Sequence, residues 1–278
     1  MICPNPTMRT MFTAAFRARP LQARLAASVG LTTTIVSFGT AAGASACEPN
    51  AADVRVHVRY FGVKGAAEVI RHVMSLAEQP WTEEEWPVDM RKMPNLAAAS
   101  PGFAAARDSG DLDLNLGRAP VVVIQDGKNR LELGQSKTIE RYLARRFGLL
   151  GDDEHEAAHI DMIAEHIRDV KDKYKTANDK ATFLAVGFPE YMEKLDMAIR
   201  VIGGGSGGGP PLIGKSLSLA DVSLFVLMKD FFDEEHQAAA AAAIRQCPRL
   251  LRSVEETEQH PGIVSYRAKR QQTNGRAA

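Results

Sequence analysis

The chain has 278 residues, 45% of them hydrophobic, which is enough to bury one large core or two ordinary ones. Its 34 Lys and Arg balance 34 Asp and Glu, so nothing at this level predicts a polyanionic partner, and nucleic acid is not implied. Three cysteines, Cys3, Cys47 and Cys247, show no C-x-x-C spacing, which excludes a disulfide framework and a cysteine metal site.

No acidic residue precedes Glu48, while Arg9, Arg17, Arg19 and Arg24 share that stretch with many Ser, Thr and Ala. This is transit-peptide composition, and residues 1–52 are expected to be a removable targeting segment for a mitochondrion or plastid. The apolar second half, Leu25 to Ala46, ends in Ala-Ser-Ala and gives the competing reading of a secretory signal; a third is a tail with no address, which would leave a cytoplasmic protein. Ser, Thr and Gly interrupt it too often for a membrane span.

From Val54 the pattern alternates strictly, with Val54, Val56, Val58 and Tyr60 on one side and Arg55, His57 and Arg59 on the other, the period of a half-buried strand. After Gly65, Ala67, Ile70, Val73, Met74 and Ala77 recur at helical spacing. A second strand is expected near Trp81 to Val88, then a loop from Met93 to Gly110 with one short helix around Phe103 to Arg107. Ala119 to Ile124 reads as a buried strand, Asp126-Gly127 as a hairpin turn, and Leu131 to Leu133 as the return strand. Gln135 and Ser136 open a helix whose apolar face is Ile139, Tyr142, Leu143 and Phe147. The order is therefore βαβ then ββα over residues 53–150.

Residues 151–278 carry no strand pattern. A long helix holds Ile160, Ile163, Ile167, Val170 and Tyr174 at steps of three and four, and further helices fit Pro189 to Ile202, Leu219 to Phe232, the Ala238 to Ala243 tract and Pro248 to Gln259. The Gly- and Pro-rich stretch Gly203 to Pro211 reads as a flexible loop inside this half. Ser218-Leu219-Ala220-Asp221 has the form of a helix capping box.

Several short motifs stand in one order: Tyr60-Phe61-Gly62, Gly65 to Arg71, Gly117-Arg118-Ala119-Pro120, Gln135-Ser136 with Arg141-Tyr142-Leu143, Ile160-Asp161-Met162 reaching Asp169, and Ser218 with Asp221. Together they resemble the cytosolic-type glutathione transferases, nearest the sigma and alpha classes, from Val54 to about Tyr266. The resemblance implies a thioredoxin-like α/β domain followed by an all-α domain, a homodimer, and detoxifying attack of glutathione on an apolar electrophile. It implies no metal, since Glu165 and Arg168 only partly reproduce the acidic set that holds a cation in some sigma-class members. Isomerisation or peroxide reduction would use the same thiolate, and a non-catalytic binding or structural protein of the same fold is the alternative from another class.

The resemblance also assigns roles. Tyr60 would donate a hydrogen bond to the glutathione sulfur; a thiol with an ordinary pKa of about 8.5 is mostly protonated near neutrality, and such a donor favours the thiolate. Ala119, before a cis Pro120, would pair its backbone with the cysteinyl residue, with Arg118 beside it. Ser136 would take the glutamyl carboxylate near a helix N-terminus and Gln135 would hold the same moiety. Phe103 with Arg107 would serve the glycyl carboxylate, Trp86 with Arg91 being the runner-up, and Asp169 would reach the glutathione amine across the dimer interface. One departure is Ala66, which stands where the family carries an arginine.

Overall fold

The computed structural model describes residues 54–203 and 211–276. The expected targeting segment, with Cys3 and Cys47, lies outside the described residues, as does the stretch 204–210.

β1 (Val54–Phe61) is a half-buried strand because its even-numbered side is all Val and Tyr, and those side chains are buried while Arg55 is exposed and His57 and Arg59 half-buried. β2 (Trp81–Trp86) pairs with it in parallel, and β3 (Val121–Asp126) and β4 (Asn129–Gly134) follow antiparallel, giving the sheet order β2-β1-β3-β4. Between β1 and β2 runs α1 (Glu68–Leu76), entered through a 3-10 turn at Gly65–Ala67. Two short helices, α2 (Leu96–Ala99) and α3 (Pro101–Asp108), fill what the sequence reads as a loop with one helix. α4 (Ser136–Arg146) closes the ββα unit.

The rest is helical: α5 (Glu154–Thr176), α6 (Lys180–Thr182), α7 (Phe188–Val201), α8 (Leu219–Val226), α9 (Glu234–Ile244), α10 (Pro248–Gln259) and α11 (Pro261–Arg276). The expected face of α5, from Ile160 to Tyr174, is buried throughout. α8 is buried all round and packs on α1, α5 and α10. Its start is fixed by Asp221, whose Oδ2 accepts from the Ser218 N–H at 3.0 Å and hydroxyl at 2.7 Å, and whose Oδ1 accepts from the Leu212 N–H at 3.0 Å and the Ser253 hydroxyl at 2.7 Å. Four donors on one buried carboxylate tie α8 to α10 and to the segment before it.

The helix expected to run from Leu219 to Phe232 changes to a π turn at Leu227–Phe231. α11, absent from the sequence reading, crosses α1 at close range: a Cβ on Gly262 would lie 1.9 Å from the Ser75 carbonyl oxygen, so only glycine fits there. With α4, α8 and α11 packed on it, every residue of α1 is buried, including Glu68, Arg71, His72 and Ser75.

Candidate active site

A cavity of about 600 Å³ opens where β1 ends, bounded by the β1–α1 turn, the start of α4, the middle of α5 and the π turn after α8. Tyr60, Lys64, Gly65, Ala66, Ser136, Glu140, Arg168, Lys171, Lys175, Asp230 and Phe231 line it, with Val69, Ile167 and Val226 as apolar wall.

Tyr60 is the last inward residue of β1 and its ring is buried. The phenol oxygen accepts a hydrogen bond from the Ala66 N–H at 2.9 Å, which leaves its own proton for an acceptor in the cavity. Gly65 makes that approach possible: its φ is +57°, and a Cβ there would stand 2.6 Å from the Tyr60 oxygen.

The turn that presents Ala66 is held from beneath by Arg71, whose side chain is fully buried. Its Nη1 donates to the carbonyls of Val63 (2.8 Å) and Lys64 (3.3 Å) and to Glu68 (3.0 Å), and its Nη2 donates to the Phe61 carbonyl (3.1 Å). Glu83 of β2 accepts from Nε at 2.9 Å and from Nη2 at 2.5 Å. Burial alone would push the Arg71 guanidinium down, but the hydrogen bond and charge of Glu83, with the charge of Glu68, hold it above its ordinary value. The fork thus welds the Tyr60 turn to the neighbouring strand. The guanidinium also lies 5.7 Å from the centre of the Tyr60 ring.

A second staple is Asn115, buried in the turn before β3. Its Nδ2 donates to the carbonyls of Arg118 (2.9 Å) and Pro120 (3.0 Å), and its Oδ1 accepts from the Gln135 N–H at 3.2 Å. One amide therefore fixes the Ala119-Pro120 bend, whose peptide bond is cis, against the entry to α4. Gln135 itself takes a φ of +64°, unusual for a residue with a side chain, and is the cap residue of α4. Ser136 is the first residue inside that helix and faces the cavity.

Three comparisons bear on this arrangement. A family model described as glutathione S-transferase, C-terminal domain, matches residues 160–270. Glutathione S-transferase P 1 of Xenopus laevis is 26% identical over 215 residues, covering 74% of this chain and 89% of that one, and the human glutathione S-transferase P is 27% identical over 221 residues, covering 78% and 93%. The pi-class glutathione S-transferase structure from Onchocerca volvulus superposes with a TM-score of 0.60 at 22% identity, covering 79% of this chain and 95% of that one. The chain is thus similar to the glutathione S-transferases, in sequence over about three quarters of its length and in fold. A structure from Necator americanus described as monomeric, Na-GST-3, has a TM-score of 0.58 at 22% identity, covering 78% and 97%, and speaks to the fold alone. The two P-type names and the pi-class structure differ from the sigma and alpha classes that the motifs resemble.

Tyr60 and Ser136 line one and the same cavity. Ala119, Pro120 and Gln135 sit together through Asn115. Arg107 packs its stem beside Gly117, next to Arg118, while its Nε donates to Asp108 at 2.9 Å. Phe103 lies outside the cavity wall. Its ring is 4% exposed, in a small core with Phe61 at 4.8 Å and Trp86 at 5.5 Å, and packs the sheet domain. Trp86, the other candidate aromatic, is equally buried and donates Nε1–H to Glu84 at 3.0 Å. Arg91, its partner in that reading, forks onto Asp89. Asp169 is exposed on α5, beside Arg168 but outside the cavity wall.

Sequence reading missed Arg71 as an anchor, Asn115, and the cationic wall of Lys64 and Lys171. Lys171 left a signal, since it sits between Ile167 and Tyr174 on the buried side of α5, where a lysine has no packing reason to be. Glu68, His72 and Asp230 also gather their side-chain atoms within 4.8 Å. Cations already serve those carboxylates: Arg71 lies 3.0 Å from Glu68, and Lys64 lies 2.8 Å from Asp230 with Arg267 at 3.3 Å. His72 Nε2 is 2.9 Å from Asp230.

Proposed function

We propose that the protein activates glutathione as a thiolate for attack on an electrophile, with Tyr60 as the catalytic donor. The observation that carries this is the Ala66 N–H at 2.9 Å from the Tyr60 oxygen: the phenol is already serving as an acceptor, which makes its own proton a better donor toward sulfur. In the cavity the sulfur would lie against that hydroxyl, the glutamyl carboxylate against Ser136 and the free amides opening α4, and the cysteinyl backbone along Ala119. Arg118 and Arg107, which flank the turn before Ala119, are the cations we assign to the glycyl carboxylate.

Asp169 fits a role across a homodimer interface, because it is exposed and does not reach the cavity of its own chain. We also read residues 1–52 as an organelle-directing segment, on the acid-free, arginine-bearing composition of the first 47.

Ultraviolet difference spectra of the protein with glutathione, recorded across pH for the wild type and Tyr60→Phe, test the reading. Thiolate absorbance well below the free thiol's pKa is expected, moving upward in the variant, with kcat/KM for an aryl halide falling about a hundredfold, as for loss of one donor to developing negative charge. Glutathione bound without thiolate formation in the wild type would overturn the assignment in favour of a binding protein.

A further inference from the structure

The cavity wall opposite Tyr60 is not the apolar surface that the sequence reading expects for an electrophile site. Lys171 and Lys175, one turn apart on α5, both project to Phe231 of the π turn, their ammonium groups 5.7 and 5.8 Å from its ring centre. Their neighbours are paired: Arg168 lies 2.7 Å from Glu140, Lys64 lies 2.8 Å from Asp230, and Lys175 lies 3.4 Å from Asp172. Lys171 is half-buried and makes no hydrogen bond or ion pair among the described residues. An ammonium held off from solvent with no carboxylate in direct contact is a costly arrangement unless something else supplies the charge.

Resting on the function proposed above, we infer that Lys171, flanked by Lys175 and the ring of Phe231, binds the anionic group of the electrophile, so that the acceptor is a carboxylate-bearing molecule with a flat apolar body. Burial pushes the Lys171 ammonium down to about 8, against the pull of Glu140, and it is still a cation near neutrality. Phe231, with Val226 and Ile167, supplies the apolar surface for the body of such a molecule.

A matched pair of aryl chlorides tests this: 4-chloro-3-nitrobenzoate and the uncharged 4-chloro-3-nitrobenzamide. In both, the glutathione sulfur bonds to the ring carbon bearing chlorine, the carbon–chlorine bond breaks, chloride leaves with its electron pair, and the thiol proton passes to solvent. The ratio of kcat/KM for benzoate over benzamide is expected to fall about tenfold or more in Lys171→Met, which keeps the apolar stem, and to return in Lys171→Arg. An equal loss on both acceptors would overturn the inference, as would a rise in the KM for glutathione exceeding that for the benzoate, which would give Lys171 to the peptide's own carboxylate. Calorimetric titration of unreactive 3-nitrobenzoate and 3-nitrobenzamide into the same proteins reads the anion site without catalysis. If the wild type forms no thiolate, the underlying function fails by itself; a tenfold loss of nitrobenzoate affinity in Lys171→Met would still establish the anion site, and equal binding of the two probes would remove it.

Discussion

Replacing Arg71 by Met should cost about 4 kcal/mol of stability. The guanidinium bonds two carboxylates, Glu68 and Glu83, and three carbonyls, with no exposure of its own. Removing one partner of a buried ion pair typically costs about 3–5 kcal/mol, chiefly because the other charge is left unpaired in a poor solvent. The carbonyls of the Tyr60 turn lose donors as well, and each can regain one only by admitting water. In urea denaturation with a slope of about 3 kcal/mol/M, the midpoint should fall by about 1 M. The orphaned charge can be separated from the lost geometry with Glu83→Gln. If most of the penalty is the unpaired Glu83, the double variant recovers at least about 1 kcal/mol over Arg71→Met alone. A loss under about 1 kcal/mol in the single variant, or a double variant no more stable than it, would refute the argument that this fork holds the turn.

Two other perturbations follow from close contacts. Gly262→Ala should destabilise by several kcal/mol, since the added methyl falls 1.9 Å from a backbone oxygen that cannot yield; a thermal midpoint within about 1 °C of wild type would mean that α11 does not sit on α1 in this way. Burial alone would raise the Asp230 carboxyl, but the hydrogen bonds from His72 and Lys64 hold it down to about 2, below the ordinary 3.8. The sign follows: the folded carboxyl titrates lower than the unfolded one, so this contribution is complete above about pH 5 and is lost as pH falls through 4 toward 2. The gap amounts to about 2 kcal/mol. Asp230→Asn should remove that part of the acid limb, seen as a shallower loss of urea midpoint over the same range; identical slopes in the two proteins would count against it.

The parts of the fold that a linear pattern can carry were legible. β1 alternates because one face meets the core, α5 repeats at three and four because one stripe does, and Asp221 announces a helix start three residues after Ser218. α11 was not legible because its buried set is thin: Ile263 and Tyr266 are buried within a run of basic and amide residues, so no periodic stripe stands out. The π turn at Leu227–Phe231 also hides in sequence, since it continues an apolar helix and only its extra residue per turn brings Asp230 and Phe231 to the cavity. Within the site, Tyr60 and Ser136 were found through motif order. The packing of Phe103 was not legible, because an aromatic four residues before an arginine serves packing as readily as binding, and its neighbours Phe61 and Trp86 come from other elements. Asn115 and Arg71 act through backbone carbonyls, and no residue spacing records which carbonyls a side chain will meet.

The polar side of α1 gives the two halves of the chain a shared fate. Glu68 receives the Tyr266 hydroxyl at 3.1 Å across 198 positions of sequence, Asp230 sits 2.9 Å from His72 across 158, and Arg270 reaches Glu85 of β2. A ribosome that has finished the sheet has therefore not yet made the later hydrogen-bond partners of Glu68 and His72 on its buried helix. Until they emerge, the emerging sheet carries an ionisable stripe that water must cover, and the Tyr60 turn lies directly above that stripe. Assembly of the site is thereby a late event in biosynthesis, and the sheet domain is poorly suited to being cut out and grafted elsewhere.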